Sequence, residues 1–459
     1  MKKKYVPWTL WTIASPFILF IILCILIYLP PIQNFLVDKA AVYASEATGM
    51  NISVGRISLS FPLNLVVTNV DAASPHNDTL LSVRRLQVNV QLLPLLKKQV
   101  EVDGISLQGA TVNSNDLIHG MKLNGTLGEL FISSHGVALD PETAIVNKVL
   151  LKDADLSLCL NDTAAADTAA SDTAYWKIIL QDIDLQNVSF ALDMPLDSLS
   201  LAASLDNAIL RDGLIDLHKS AYSLQTFRIE NGRVRYDNGK PLAADSLSSG
   251  LDPSHIALTD IGVKLDSLYY GGRNMKAIIS QFVLKERSGV EIVSATGRMV
   301  SNDKVLRVPS LKLETRDSYL ELNAAMDWNA LDFKGEGLVS ARLMADIGKP
   351  DVVRFMGSMD EKFIRQYPSE PLRIRTGIDG DLNKLKLTTL TAELPGALGL
   401  FARGELTHLT DSLLRGGDIT LEAETKDLKF VSTLAEGIEI PYGTRLEGKF
   451  TMAGTKMGT

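Results

Sequence analysis

The chain has 459 residues, with 46 Lys and Arg against 54 Asp and Glu and a formal net charge of -8. That balance provides no basic field for nucleic acid, and charges of both signs are mixed along the chain, so binding to nucleic acid is not expected. Of the two cysteines, Cys24 lies in an apolar run and Cys159 stands alone after it. No intrachain disulfide is therefore available to the larger part of the chain, and its stability must come from packing and strand pairing.

Lys2, Lys3 and Lys4 precede a stretch from Tyr5 to Val37 without a charged side chain. As a helix, Trp8–Leu29 would span roughly 33 Å at about 1.5 Å per residue, close to a hydrocarbon core of about 30 Å, with Trp8, Trp11 and Tyr28 as interfacial aromatics. Residues 1–31 are expected to form a cytoplasmic tip and a retained single-pass anchor, with the lysines holding the N-terminus in the cytoplasm and the rest exported. A cleaved leader fits less well. The apolar run is long for one, and Tyr28-Leu29-Pro30-Pro31 lacks the small residues of a cleavage site. Cys24 follows the bulky Ile21, Ile22 and Leu23, which is unlike a lipidation site.

Pro30 and Pro31 suit the first turn of a helix, and Ile32, Phe35, Leu36, Ala40, Tyr43 and Ala47 recur at helical spacing until Gly49 closes it. Residues 32–50 are predicted to be an amphipathic juxtamembrane helix, lying on the first strands or on the headgroups.

From Asn51 the dominant period becomes two. Ile57, Leu59, Phe61 and Leu63 alternate with other residues, as do Leu86, Val88, Val90 and Leu92 with Gln87, Asn89 and Gln91. Half-buried antiparallel strands follow from that pattern. These eight apolar residues are the candidate lining of a groove. A loose repeat recurs as Ile105–Val112, Val149–Leu156, Ile183–Phe190, Phe227–Val234 and Ile256–Val263. Each copy interrupts a strand with one residue, Gly109, Asp153, Asn187, Asn231 or Asp260, of a type that tolerates a left-handed backbone. Strands that all bend at one level fold a sheet into a trough. The fold class expected is mainly β: an N-terminal transmembrane helix, then an elongated, bent antiparallel sheet enclosing a groove over residues 51–345.

Two segments interrupt this pattern. Residues 161–174 contain Asp-Thr-Ala three times and are predicted to be a low-complexity loop. Pro350–Tyr367 is predicted to be one amphipathic helix, with Val352, Phe355, Met356, Met359, Phe363 and Tyr367 on one face, within a helical insertion at 346–368. Further strands are expected over 369–459, including Arg445–Phe450. No closing element follows that strand, so either another chain covers its edge or the protein continues.

Catalytic chemistry is not apparent. His76, His119, His135, His218, His255 and His408 are scattered with no metal-ligand spacing, and no nucleophile elbow, phosphate loop or dinucleotide fingerprint occurs. Asp153 and Asp155, two apart, are better read as a solvated strand face than as a carboxylate pair. No enzyme activity, cofactor or metal is expected.

The run Gly49-Met-Asn-Ile-Ser-Val-Gly-Arg-Ile-Ser-Leu-Ser-Phe-Pro-Leu-Asn-Leu-Val-Val-Thr-Asn-Val70, followed by Asp78-Thr-Leu-Leu81 and Leu92-Leu-Pro-Leu-Leu96, resembles the N-terminal region of AsmA-like proteins of the TamB group. The match covers about the first 115 residues, and the later strands agree in style, as in Leu382–Leu387 and Gly404–Leu406. The resemblance implies a protein of the inner membrane whose bulk is periplasmic, with a β-taco groove that conducts phospholipids between the membranes of a Gram-negative envelope. It also implies, through one branch, a part in outer-membrane assembly with a β-barrel partner. The C-terminal region thought to meet that partner is not matched within these 459 residues.

Overall fold

The structure, a computed structural model, describes residues 39, 41–42, 45–46, 49–60, 64–74, 79–90, 102–114, 120–138, 142–161, 176–240, 250–332, 337–356, 361–433, 441–453 and 456–458. The expected anchor, Phe61, Leu63, Leu92 and all but the first residue of the low-complexity segment lie outside them. Among the described residues no helix is long and apolar enough to cross a membrane. Strands dominate what is described, and the chain divides into two compact units, residues 1–173 with 178–196 and residues 174–177 with 197–459.

In the first unit, Lys39, Ala41, Val42, Ser45 and Glu46 are helical. Gly49, at φ 70°, donates its N–H to the Ser45 carbonyl at 2.9 Å, and the Ser45 hydroxyl accepts the Ile52 N–H at 3.0 Å. A left-handed glycine thus ends the helix as its sequence predicts and passes the chain directly into a strand. An antiparallel meander follows: β1 (Asn51–Ser60), β2 (Asn64–Ala73), β3 (Thr79–Val90), β4 (Val102–Asn113), β5 (Met121–Ala138) and β6 (Thr143–Leu160), each paired with the next. β7 (Lys177–Met194) reaches β6 through hydrogen bonds from Asn147 to Gln181 at 2.9 Å and from Asn187 to Asp153 at 2.8 Å.

All five predicted interruption residues are left-handed, with φ of 51–60°. They bend the strands because each bulge places two consecutive residues on the polar face: Thr68 and Asn69, Gln108 and Gly109, Lys152 and Asp153. The apolar residues on either side, such as Val67 and Val70 or Leu107 and Ala110, consequently stay on one face. Glycine in the adjoining strand makes room for the corner. A Cβ on Gly128 would lie only 2.8 Å from the Asp153 Cβ.

The second unit is a longer meander. It runs through β8 (Leu199–Asp216), β10 (Thr226–Asp237), β11 (His255–Gly271), β12 (Asn274–Glu286), β13 (Glu291–Ser301), β14 (Val305–Thr315), β15 (Tyr319–Asp327), β16 (Val339–Ile347), β17 (Leu372–Gly380), β18 (Lys384–Leu394), β19 (Leu398–Thr407), β20 (Gly416–Thr425) and β21 (Arg445–Ala453). Short β9 (Ala221–Leu224) fits between the ends of β8 and β11, and β22 (Lys456–Gly458) pairs with the end of β21. Asp212, Asn231 and Asp260 make left-handed corners here, and the register shifts again in β12, β14 and β18.

The corner backbone yields a direct test. Asn231→Val and Asn231→Gly both remove the side-chain hydrogen bond to Asp206, so their difference isolates the backbone. The valine variant is expected to be less stable than the glycine variant by ~1–2 kcal/mol in chemical denaturation of the full chain. Equal midpoints would contradict a left-handed requirement at this position.

Pro350–Tyr367 is not one helix. It forms α1 (Lys349–Phe355), with Pro350 in its first turn, and α2 (Glu361–Gln366). Gly357 and Ser358, poor helix formers, lie between them in the sequence. The predicted common face is therefore split: Phe355 and Met356 are exposed, whereas Phe363, 2% exposed, and Tyr367 pack with Leu394, Ala397, Leu428 and Phe430. Asp351 anchors α1 to the β14–β15 turn by accepting hydrogen bonds from Thr315 and Ser318, while Arg354 bonds Asp317 at 2.8 Å.

Candidate functional site

Register turns the alternation within each strand of the first unit into rows that cross strands. Ile57, Val67, Leu86, Leu107, Leu130 and Leu151 are successive cross-strand partners in β1 to β6, and beside them run Leu59, Leu65, Val88, Ile105, Ile132 and Val149. Past the corner the apolar face continues as Val54, Val70, Val83, Ala110, Leu127 and Ala154. Six strands at about 4.8 Å carry each row over roughly 24 Å. The adjoining row on the other face reads Arg56, Thr68, Arg85, Gln108, Glu129 and Lys152. That face also carries Val66, Phe131 and Leu150, so the segregation is strong but not complete.

Most residues of the apolar rows are half-buried, whereas Val67, Val83 and Ala154 are buried. Ile57, Leu59, Leu86 and Val88 keep intermediate exposure, and Ile105, beside Val88, is 37% exposed. Leucines in a closed core would be almost wholly covered. Nothing in the three rows is ionisable, so the surface offers dispersion contacts and removal of apolar area from water, without acid, base or nucleophile.

The second unit repeats the arrangement at greater length. One row follows cross-strand partners from Ala208 through Ile229, Val263, Phe282, Ala295, Leu313, Leu320, Ala345, Ile374, Ala392, Leu400 and Ala423 to Leu446. Thirteen strands extend it over roughly 58 Å at about 4.8 Å per step. Ala208, Ala295 and Ala345 are buried between longer neighbours, while Ile229, Val263, Phe282, Leu313 and Leu320 remain half-buried.

Of the candidates from sequence, Ile57 and Leu86 share one row, Leu59 and Val88 the next, and Val90 ends β3. Phe61, Leu63 and Leu92 lie outside the described residues. Asp153 and Asp155 both sit exposed on the polar face, and Asp153 accepts its hydrogen bond from Asn187 there. Sequence reasoning did not single out Val67, Leu130 or Ile132. Their signal is the same alternation, but which residues they oppose depends on register, which alternation within a single strand does not specify. No protein-family model and no curated protein sequence matches the chain.

Proposed function

We propose that this protein is a membrane-anchored lipid conduit of the AsmA-like TamB group. Its anchor sits in the inner membrane, its bulk is periplasmic, and phospholipids move along its apolar sheet face between inner and outer membranes. The observation that supports this most strongly is the run of uncharged apolar rows, most of their members half-buried, crossing six strands of one unit and thirteen of the other. Carrying the ~30 methylenes of a two-chain lipid through water would cost on the order of 24 kcal/mol, at ~0.8 kcal/mol each. A carrier must therefore keep the chains covered, and a continuous aliphatic surface does so without any catalytic group, cofactor or metal.

Photo-crosslinkers at Leu59 or Val88 are expected to capture phospholipid in cells, and those at Ser58 or Asn89, on the polar face, to capture none. Equal capture on both faces, or none on either, would overturn the conduit.

A second reading, an envelope scaffold or assembly factor for outer-membrane β-barrel proteins, draws on the backbone edge of β21. Among the described residues that edge is paired with β22 only over Thr451–Ala453. An exposed strand edge is a template for strand addition. Two crosslinkers separate the readings: Glu447, on the polar face, is expected to give a discrete protein adduct for a scaffold and no adduct for a conduit, and Leu446, in the apolar row, lipid adducts for a conduit.

A further inference from the structure

The two rims of the second unit, where its strands end, differ in chemistry. At the rim that includes the ends of β10, β12, β14 and β16, two clusters of charged groups are held by partners within the protein. Asp351, 1% exposed, is held by Thr315, Ser318 and Arg354, and Arg354 also bonds Asp317 and accepts the Leu251 N–H at its carbonyl, at 2.7 Å. His255 lies between Asp252, at 2.8 Å, and Asp237, at 3.6 Å. The hydrogen bond from His255, with the Ser254 N–H, holds the Asp252 carboxyl below its ordinary range. α1 thus joins the β10–β11 loop to the β14–β15 turn along this rim.

The opposite rim, where β8 ends at Asp216 and β11 at Gly271, is built differently. Tyr222 of β9 and Tyr270 of β11 are cross-strand partners whose rings stack at 6.2 Å, and they stay 41% and 46% exposed. On the same face, one step deeper, Leu224 opposes Leu268. The pair therefore sits at the boundary between apolar rows and water, each ring combining an apolar body with a hydrogen-bonding hydroxyl. The turns flanking it carry exposed Lys219 and Arg273, and among the described residues neither has a carboxylate partner. Arg273 lies over the Trp328 ring, 5.7 Å from its centroid, which leaves its N–H groups available. Of the carboxylates nearby, Asp216 is buried and accepts the Lys219 N–H at 3.0 Å, and Asp303 accepts from Asn274 at 2.9 Å.

The geometry points to a headgroup site at this rim: Tyr222 and Tyr270 contact the glycerol–ester boundary of a phospholipid, Lys219 and Arg273 face its phosphate, and the acyl chains lie on the rows beneath. The inference rests on the conduit reading and adds which rim carries the polar end. At the other rim Arg354 is bound by Asp317 and Asp351, Lys349 by the Tyr367 carbonyl at 2.7 Å and Arg287 by the His255 carbonyl at 3.4 Å. Phenol hydroxyls can donate to ester or phosphate oxygens, and the two cations match an anionic phosphate.

The test uses full-length protein and phosphatidylethanolamine–phosphatidylglycerol vesicles doped with a lipid carrying a photoreactive group either on the headgroup or at the acyl terminus, with labelled peptides mapped by mass spectrometry. Headgroup label is expected on peptides containing Lys219–Leu224 or Leu268–Arg273, and acyl label on deeper positions such as Leu265 and Ile279. Tyr222→Phe with Tyr270→Phe keeps the ring packing, and Lys219→Gln with Arg273→Gln removes the charges. Each pair is expected to lower headgroup labelling at this rim about fivefold or more while acyl labelling persists. Acyl labelling with headgroup label at the α1 rim, or unchanged in both variant pairs, would overturn this site and leave the conduit standing. Absence of acyl label from the apolar rows would overturn both.

Discussion

Val88→Asp is expected to leave the protein at normal abundance in the membrane fraction while blocking lipid passage. Val88 lies between Leu65 and Ile105 in a row whose members remain partly exposed. An unpaired carboxylate in a closed core costs several kcal/mol, enough to destabilise most domains. On an open apolar face, water reaches the carboxylate whenever lipid is absent, so most of that penalty falls on the lipid-bound state instead. Passage is expected to fall ~100-fold for a penalty of about 3 kcal/mol. The measurement is the level of intact anchored variant alongside outer-membrane permeability. Normal level with a leaky envelope supports the conduit; degradation of the variant would make Val88 a core residue.

Phe363→Ala is expected to have the opposite character, a large loss of stability. Phe363 is almost fully buried, with its ring 5.5 Å from that of Tyr367 and 5.8 Å from that of Phe430. Its removal leaves a cavity in the cluster packed by α2, costing ~3–5 kcal/mol. Leu107→Ala, in a half-buried row, is expected to cost only ~1–2 kcal/mol, because less apolar area leaves contact and water fills the space. Denaturation of both variants in the full chain makes the comparison. A loss at Leu107 as large as at Phe363 would mean that the first unit's apolar face is a closed core.

Strand alternation and the bent corners were legible in the sequence because both depend on local chemistry. Period-two apolarity marks a strand with one apolar face, and Gly109, Asp153, Asn187, Asn231 and Asp260 are residue types that accept positive φ, as all five do. Asn69 and Asp212 are equally left-handed but were not singled out, although Leu65–Ala72 and Ala208–Ile215 carry the same spacing around them. Register was not legible, since it depends on which strands meet and on the lengths of their turns, and the rows exist only through register. The 350–367 segment misled because its apolar spacing is helical throughout while α1 ends at Phe355, and because Phe363 and Tyr367 find partners, Leu428 and Phe430, some sixty residues further along the chain. The tyrosine pair was illegible for a similar reason. Tyr222 and Tyr270 are separated by 48 positions and become a pair only when β9 fits beside β11.

The most direct test of the central claim is site-by-site photo-crosslinking to lipid through β4, because the bulge at Gly109 shifts the phase of alternation within one strand. Lipid contact on the apolar face predicts labelling at Ile105, Leu107, Ala110 and Val112 and none at Ser106, Gln108 and Thr111, so that the period of two skips a step at the corner. Labelling that keeps an unbroken period of two through residue 109, that ignores face altogether, or that is absent along the whole strand would contradict an apolar sheet face carrying lipid.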